Sequence, residues 1–213
     1  SSVGQYAQSR FRYGLCCFVK RGMDLLVSAV GLVVALPLLL VVGVAVELTS
    51  PRPVFFRQNR CGKFGKEFSM VKFRTMVRNA EAMQGQLRPM NQVDGPIFKI
   101  ENDPRSTRLG KLLRRYSIDE IPQLWNVLKG EMSLIGPRPL AAKEMSFCPA
   151  WRDVRLKVRP GITGLWQVGG RSKTSFHDWI RLDTKYVLER STWLDIKILL
   201  KTLLVVLGGR GSY

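Results

Sequence analysis

From Leu25 to Val46 the chain carries no charged side chain: LLVSAVGLVVALPLLLVVGVAV. As an α-helix this run is roughly 33 Å long at about 1.5 Å per residue, enough to cross the hydrocarbon core of a bilayer. It is too long for a secretory signal and has no small-residue cleavage site before its polar flank. The run reads as a membrane segment, and whatever else the chain builds must sit beside a bilayer.

Two features decide how such a segment is placed. Pro37 lies near its middle, where the missing N–H removes a backbone hydrogen bond and the ring presses on the preceding turn. Lys20 and Arg21 precede the run, while Arg52, Arg57, Arg60, Lys63 and Lys66 follow it. Positive charge favours the cytoplasmic side, and here both ends carry it. A helix broken at Pro37 that enters and leaves by the same face satisfies both ends, so a re-entrant hairpin is expected.

Composition narrows the partners. The 213 residues give room for one domain and its own core. Lys and Arg number 34 against 16 Asp and Glu, a net charge of +18, which points to anionic partners: nucleic acid, acidic lipid or phosphorylated small molecules. Cys16, Cys17, Cys61 and Cys148 show neither CxxC nor zinc-ligand spacing, as expected of reduced thiols in a cytosol-facing protein. The single histidine, His177, excludes a histidine metal cluster and argues against a histidine-based triad. The chain begins at Ser1 rather than Met, which fits a processed chain or a piece of a longer one.

In so basic a chain, Arg114-Arg115-Tyr116-Ser117-Ile118-Asp119-Glu120-Ile121-Pro122-Gln123 stands out. Two adjacent carboxylates repel each other and hold protons unless cations are near. Oxygen ligands of this kind suit Mg²⁺, which uses one or two carboxylates and completes its shell with water and substrate phosphates. Arginines alongside fork onto phosphate oxygens. The same residues also spell a helix start, with Ser117 and Glu120 as a capping box and Pro122 early enough to be tolerated. The two readings are compatible, since a helix start is itself an anion site.

Around this centre the chain alternates short elements. Val54 to Lys66 predicts a hairpin, followed by an extended run over Phe68 to Phe73. Lys72 and Arg74 read equally as phosphate ligands or as a solvated strand face. A polar helix is expected near Val77 to Gln86, and Met90 to Pro104 is loop. Leu109, Leu112, Leu113 and Tyr116 recur at helical spacing with basic residues between them. A further helix runs through Leu124, Trp125, Val127 and Leu128 to Gly130. Arg138 between Pro137 and Pro139 reads as a second phosphate clamp or as a rigid turn. The glycine-bearing loops Arg159 to Gly164 and Gln167 to Arg171 are candidates for presenting backbone amides to phosphate, though neither is a Walker A loop or GxGxxG. Phe176 to Arg190 is expected to be helical with His177 at the surface. Trp193 to Leu207 reads as an interfacial helix or as one packed on the core.

These pieces in this order resemble the bacterial sugar transferase family, the monotopic polyprenyl-phosphate phosphoglycosyl transferases that initiate exopolysaccharide and O-antigen type glycans. The matching blocks are the membrane segment with Pro37, KFRTM from Lys72, NDPR from Asn102, SIDEIPQLWNVLKGEMSLIGPRPL from Ser117, RPGITGLWQVGGR from Arg159 and the terminal GRGSY. The resemblance runs from about Lys20 to Tyr213. It implies transfer of a sugar-1-phosphate from a UDP-sugar, a hexose by frequency, to polyprenyl phosphate (undecaprenyl phosphate in bacteria), with release of UMP. It implies Asp119 as nucleophile forming a covalent phosphosugar, Glu120 with Asp119 at a Mg²⁺ ion, and Arg114, Arg138, Lys72 and Arg171 around the substrate phosphates. One departure is Leu36 before Pro37, where relatives often have Ser.

The expected fold is α+β and predominantly helical. A polar and basic segment over residues 1–21 leads into a re-entrant membrane helix over 22–50, and a cytosolic catalytic domain over 51–213 carries amphipathic helices at the membrane surface. The expected location is the cytoplasmic face of the bacterial inner membrane. Oligomeric state stays open, with a homodimer among the options because long relatives are often dimeric. The rival reading is a membrane-anchored basic module that binds nucleic acid or acidic lipid without catalysis. No nucleic-acid motif supports it, and the membrane segment argues against it.

Overall fold

The computed structural model describes residues 2–50, 52–170 and 175–208, with side chains from residue 17 onward. Helix α1 spans Ser2–Thr49 without interruption. Lys20 and Arg21 are therefore helical, and the change of composition near residue 21 is not a change of backbone structure. The break expected at Pro37 is corrected in the same way: the helix continues on both sides of it. Proline removes one backbone bond, but an apolar stretch offers no other partner for further freed groups, so the neighbouring turns keep theirs. Cys17–Thr49 is long and apolar enough to cross a membrane, its most apolar 18-residue stretch having a mean hydropathy of 2.9. Leu36, Pro37 and Leu38 are exposed in succession.

One stripe of α1 faces the rest of the protein. Asp24, Ser28, Val42 and Val46 are buried at helical spacing, while Val33, Val34, Leu40, Val41 and Leu48 are exposed. At its N-terminal end Lys20 Nζ lies 2.7 Å from Asp195 Oδ2 and donates to the Ile135 carbonyl. Arg21 donates to the carbonyls of Val127 and Leu128 at a helix C-terminus, the former also accepting from the Gly130 N–H. Asp24, 2% exposed, accepts from the Leu134 N–H at 3.0 Å and from the Ser133 hydroxyl. At the other end Val42 and Val46 pack with Phe73 and Leu113. The basic pair read as a topology signal is thus also a set of anchors.

The remaining elements form an α+β body. Strands β1 (Phe55–Cys61) and β2 (Glu67–Phe73) make an antiparallel hairpin with Phe56 opposite Lys72. The hairpin expected within Val54 to Lys66 is corrected: its first strand runs on to Cys61, Lys63–Gly65 form a 3₁₀ turn, and the run over Phe68 to Phe73 is the second strand. Helices α2 (Ala80–Leu87) and α3 (Arg108–Arg115) follow, then α4 (Gln123–Leu128). Strands β3 (Ser133–Ile135) and β4 (Gly161–Thr163) pair in parallel, joined by α5 (Ala142–Met145) and α6 (Pro149–Arg155). The chain continues through α7 (Leu165–Gly169), α8 (Phe176–Glu189) and α9 (Thr192–Leu207). In α9, Asp195 and Ile198 are buried, whereas Trp193, Leu200, Leu204 and Leu207 are exposed. Its inner side follows the packed reading, and an apolar face is left outward.

The inward face of α4 differs from the one its leucines suggest. Gln123, Asn126 and Val127 are buried while Trp125 is 55% exposed. Asn126, fully buried, accepts from the Val71 N–H and donates to the Ser69 carbonyl and to Glu131 Oε2. Its amide thus ties α4 to strand β2 and the turn that follows. Asn126→Ala would strand these groups in the core. We expect it to lower stability by about 3 kcal/mol, since each unsatisfied buried group costs roughly 1–3 kcal/mol. Chemical denaturation of the detergent-solubilised chain, followed by circular dichroism, measures this.

Candidate active site

The acidic pair is delivered by a turn, not by a helix start. Thr107 caps α3 by accepting from the Gly110 N–H at 2.9 Å. Gly110 lies so close to the Thr75 carbonyl that a Cβ would sit 2.0 Å from its oxygen, which sets α3 against the end of the KFRTM run. Behind it, Arg105 forks onto Asp103 at 2.6 Å and donates to the Ala80 carbonyl, so NDPR is a buried brace. At the end of α3, Ser117 adopts φ 54°, a left-handed conformation that non-glycine residues rarely take. The capping box is corrected accordingly: the Ser117 side chain makes no cap hydrogen bond. Ile118–Glu120 form a single 3₁₀ turn, and α4 begins only at Gln123. The strained turn presses Asp119 inward, to 6% exposure, and leaves Glu120 half-buried.

Five predicted site residues meet around one cavity of about 470 Å³: Lys72 from β2, Arg114 from α3, Asp119 and Glu120 from the turn, and Arg138 from the Pro-Arg-Pro loop. Arg138 Nη1 lies 3.3 Å from Glu120 Oε1. From Met132 to Leu140 every residue is buried except Arg138, so the two prolines do aim one side chain outward. Arg114 Nη1 donates to the Ser106 hydroxyl at 3.2 Å, and the Lys72 ammonium lies 5.3 Å from the centre of the Phe56 ring. Arg74 does not line the cavity. Arg171 lies outside the described residues.

Electrostatics follow from this crowding. Burial pushes the Asp119 carboxyl up to about 6, and the neighbouring Glu120 carboxylate adds to the shift. The charges of Lys72, Arg114 and Arg138 act against it. Burial lowers Lys72 to about 8, with Asp119 opposing. No hydrogen bond or ion pair to a described residue holds the Asp119 carboxylate. Among the described residues no cluster of three or more His, Cys, Asp or Glu could enclose a metal. Two adjacent carboxylates facing a cavity nonetheless fit Mg²⁺, whose remaining ligands are water and substrate phosphates.

The glycine-bearing loops serve a different end from the one expected. The Gly136 N–H donates to the Thr163 carbonyl and the Gly161 N–H to the Pro137 carbonyl. A Cβ on Gly161 would lie 2.1 Å from the Gly136 nitrogen. Those glycines let two backbones touch, and the amides of Gly136 and Gly161 are already committed. His177 is exposed, as expected.

The sequence reading missed the rest of the cavity wall. Phe98, Trp166, Phe176 and Trp179 contribute aromatic rings, with Trp166 and Trp179 ring centres 4.7 Å apart. Leu124, Ile162, Leu203 and Val206 contribute aliphatic side chains. Phe176 and Trp179 stand three apart on α8, a spacing that marks a shared face. Nothing local says that face meets the acidic pair.

The comparisons with known proteins agree with this geometry. The model of the family described as "Bacterial sugar transferase" matches residues 15–209. The galactosyl transferase CpsE of Streptococcus agalactiae is 41% identical over 218 residues, covering 99% of this chain and 47% of that protein. The undecaprenyl-phosphate galactose phosphotransferase of Salmonella typhimurium is 40% identical over 200 residues, 92% of this chain and 42% of that protein. The exopolysaccharide production protein ExoY of Rhizobium meliloti is 37% identical over 198 residues, covering 91% of this chain and 88% of that protein. The chain thus spans about half the length of several curated relatives and most of the length of another. With its fold, its acidic turn and these matches together, the chain belongs to the bacterial sugar transferase family.

Proposed function

We propose that this protein transfers a hexose-1-phosphate from a UDP-sugar to polyprenyl phosphate, the first membrane step of a surface glycan, with Asp119 as nucleophile. The observation that carries this reading is the state of Asp119: buried, held by no hydrogen bond from a described residue, open to a cavity and surrounded by three cationic side chains. A structural carboxylate in such a position would be paired. The printed names of relatives support the substrate class, among them a UDP-glucose:undecaprenyl-phosphate glucose-1-phosphate transferase from Xanthomonas campestris.

In this mechanism an Asp119 oxygen attacks the phosphorus attached to the sugar. The bond from that phosphorus to the bridging oxygen breaks, and UMP departs with the electron pair. An oxygen of polyprenyl phosphate then attacks the same phosphorus, the carboxylate leaves, and the product is a polyprenyl-diphosphate sugar. One carboxylate thereby serves a soluble donor and a lipid acceptor in turn. Arg114, Arg138 and Lys72 neutralise the phosphoryl oxygens as charge develops. Mg²⁺ bound at Asp119 and Glu120 would neutralise further diphosphate charge.

The membrane reading is part of the same proposal. A helix that crosses the bilayer leaves its ends on opposite faces. Here both ends of the apolar run are held by one body, Lys20 and Asp24 through Asp195 and Leu134, Val42 and Val46 through Phe73 and Leu113. That favours a re-entrant α1 bent about Pro37, with the basic body on the cytoplasmic face of the inner membrane.

Three outcomes are expected. Purified protein with UDP-hexoses, Mg²⁺ and a short polyprenyl phosphate should release UMP, and Asp119→Asn should cut the rate by about three orders of magnitude or more. Full activity in that variant would overturn the nucleophile. The pH profile of kcat/KM should be bell-shaped. Activity falls below about 6 as Asp119 takes a proton, and falls above about 8 as Lys72 loses one. Lys72→Arg should move the upper limb beyond that range. Finally, Cys17 and a cysteine introduced at Arg57 should both resist an impermeant thiol reagent added to intact cells. Labelling of either would remove the re-entrant reading.

A further inference from the structure

Beneath the Pro-Arg-Pro loop lies a charge pair that the mechanism above does not use. Arg155, the last residue of α6, and Asp183 of α8 have side chains only 3% exposed each, 3.5 Å apart. The Arg155 guanidinium lies over the Trp151 ring at 4.3 Å and 5.8 Å from the centre of the Trp179 ring. Its Nη2 also donates to the main-chain carbonyl of Arg138. Arg155 does not line the cavity.

Burying two charges is costly, and a buried pair is weak evidence for stability, because apolar residues of similar volume often do as well. Its use has to be sought in what it holds. Arg138 is the residue whose side chain leaves the buried run and reaches Glu120. The Arg138 carbonyl lies between the end of β3 and the start of α5, outside any strand or helix ladder. Gly161 secures the Pro137 carbonyl and the Cys61 N–H secures that of Leu140. Arg155 secures that of Arg138. Its contacts with that carbonyl and with Asp183 both run through Nη2, and the planar guanidinium makes them while lying over an indole ring, which a lysine ammonium cannot do in the same way.

We propose that Arg155, set by Asp183, is a positioning residue for Arg138. By holding the Arg138 main chain, it fixes the direction in which that guanidinium enters the cavity, and so sets affinity for the diphosphate of the donor. The inference rests on the transferase reading for the identity of the donor, and on geometry alone for the positioning.

Inorganic diphosphate is the probe, titrated calorimetrically against the full chain in detergent at fixed Mg²⁺. Arg155→Met alone would leave Asp183 buried without a partner and threaten folding. The test therefore uses Arg155→Met together with Asp183→Leu, which removes both charges, with thermal unfolding checked by circular dichroism. Arg138→Ala should weaken diphosphate binding about tenfold, the scale of one charge-assisted hydrogen bond. The paired variant should fold and lose a similar factor. Adding Arg138→Ala to it should cost nothing further, because both changes remove the same interaction. Binding like wild type in the paired variant, losses that multiply in the triple variant, or no diphosphate binding by wild type would each overturn the proposal. UMP release measured in parallel separates the two readings. If the binding pattern holds but no donor yields UMP, the transferase reading fails while the positioning role stands.

Discussion

Everything in this molecule is arranged around a long apolar helix that one body grips at both ends. An isolated apolar helix has no reason to stay beside a basic body, since its side chains are as well placed in lipid. The grip comes from polar groups that lipid cannot serve. Asp24 is satisfied by a backbone N–H and a hydroxyl, Lys20 by Asp195, and Arg21 by two carbonyls at the end of α4. Each of those partners belongs to a part of the body that also bears on the cavity: α4, β3 and α9 supply Leu124, the approach to Arg138, and Leu203. Anchoring the helix and shaping the site are therefore one structural task.

The site concentrates charge of both signs in a small space. Three cations around two carboxylates leave a net positive cavity, which suits a diphosphate better than it suits the protein alone. The strained Ser117 turn, the Gly110 contact with the Thr75 carbonyl and the buried run from Met132 to Leu140 all hold charged side chains where they crowd one another. Such crowding lowers the stability of the empty protein and is relieved by an anionic ligand. The opposing shifts of Asp119 and Lys72 are the electrostatic signature of that compromise. Aromatic rings and aliphatic side chains, the latter drawn in part from α4 and α9, line the cavity together with the charged groups.

Several elements were readable because their cause is local. The extended run over Phe68 to Phe73, α3 with its interleaved basic residues, and the outward Arg138 between two prolines follow from alternation, helical spacing and fixed proline φ. Where the local reading failed, a contact distant in sequence had overridden it. Ser117 looks like a cap until the packing of α3 against Thr75 forces the chain into a left-handed turn. Trp125 looks like core until Asn126 is needed inside to satisfy β2. Gly161 looks like part of a phosphate cradle until its backbone is found against that of Gly136.

The sequence by itself determined that the chain holds a bilayer-length apolar helix between basic flanks, that an acidic pair follows a basic helix, and that these motifs resemble one family. Those properties reside in runs and spacings of a few residues. Only the tertiary structure decided that Lys72, Arg114, Asp119, Glu120 and Arg138 share one cavity, that both ends of α1 rest on one body, and that Arg155 lies beneath Arg138. These pairings join residues separated by tens of positions, and no local rule of periodicity or capping carries information over that distance.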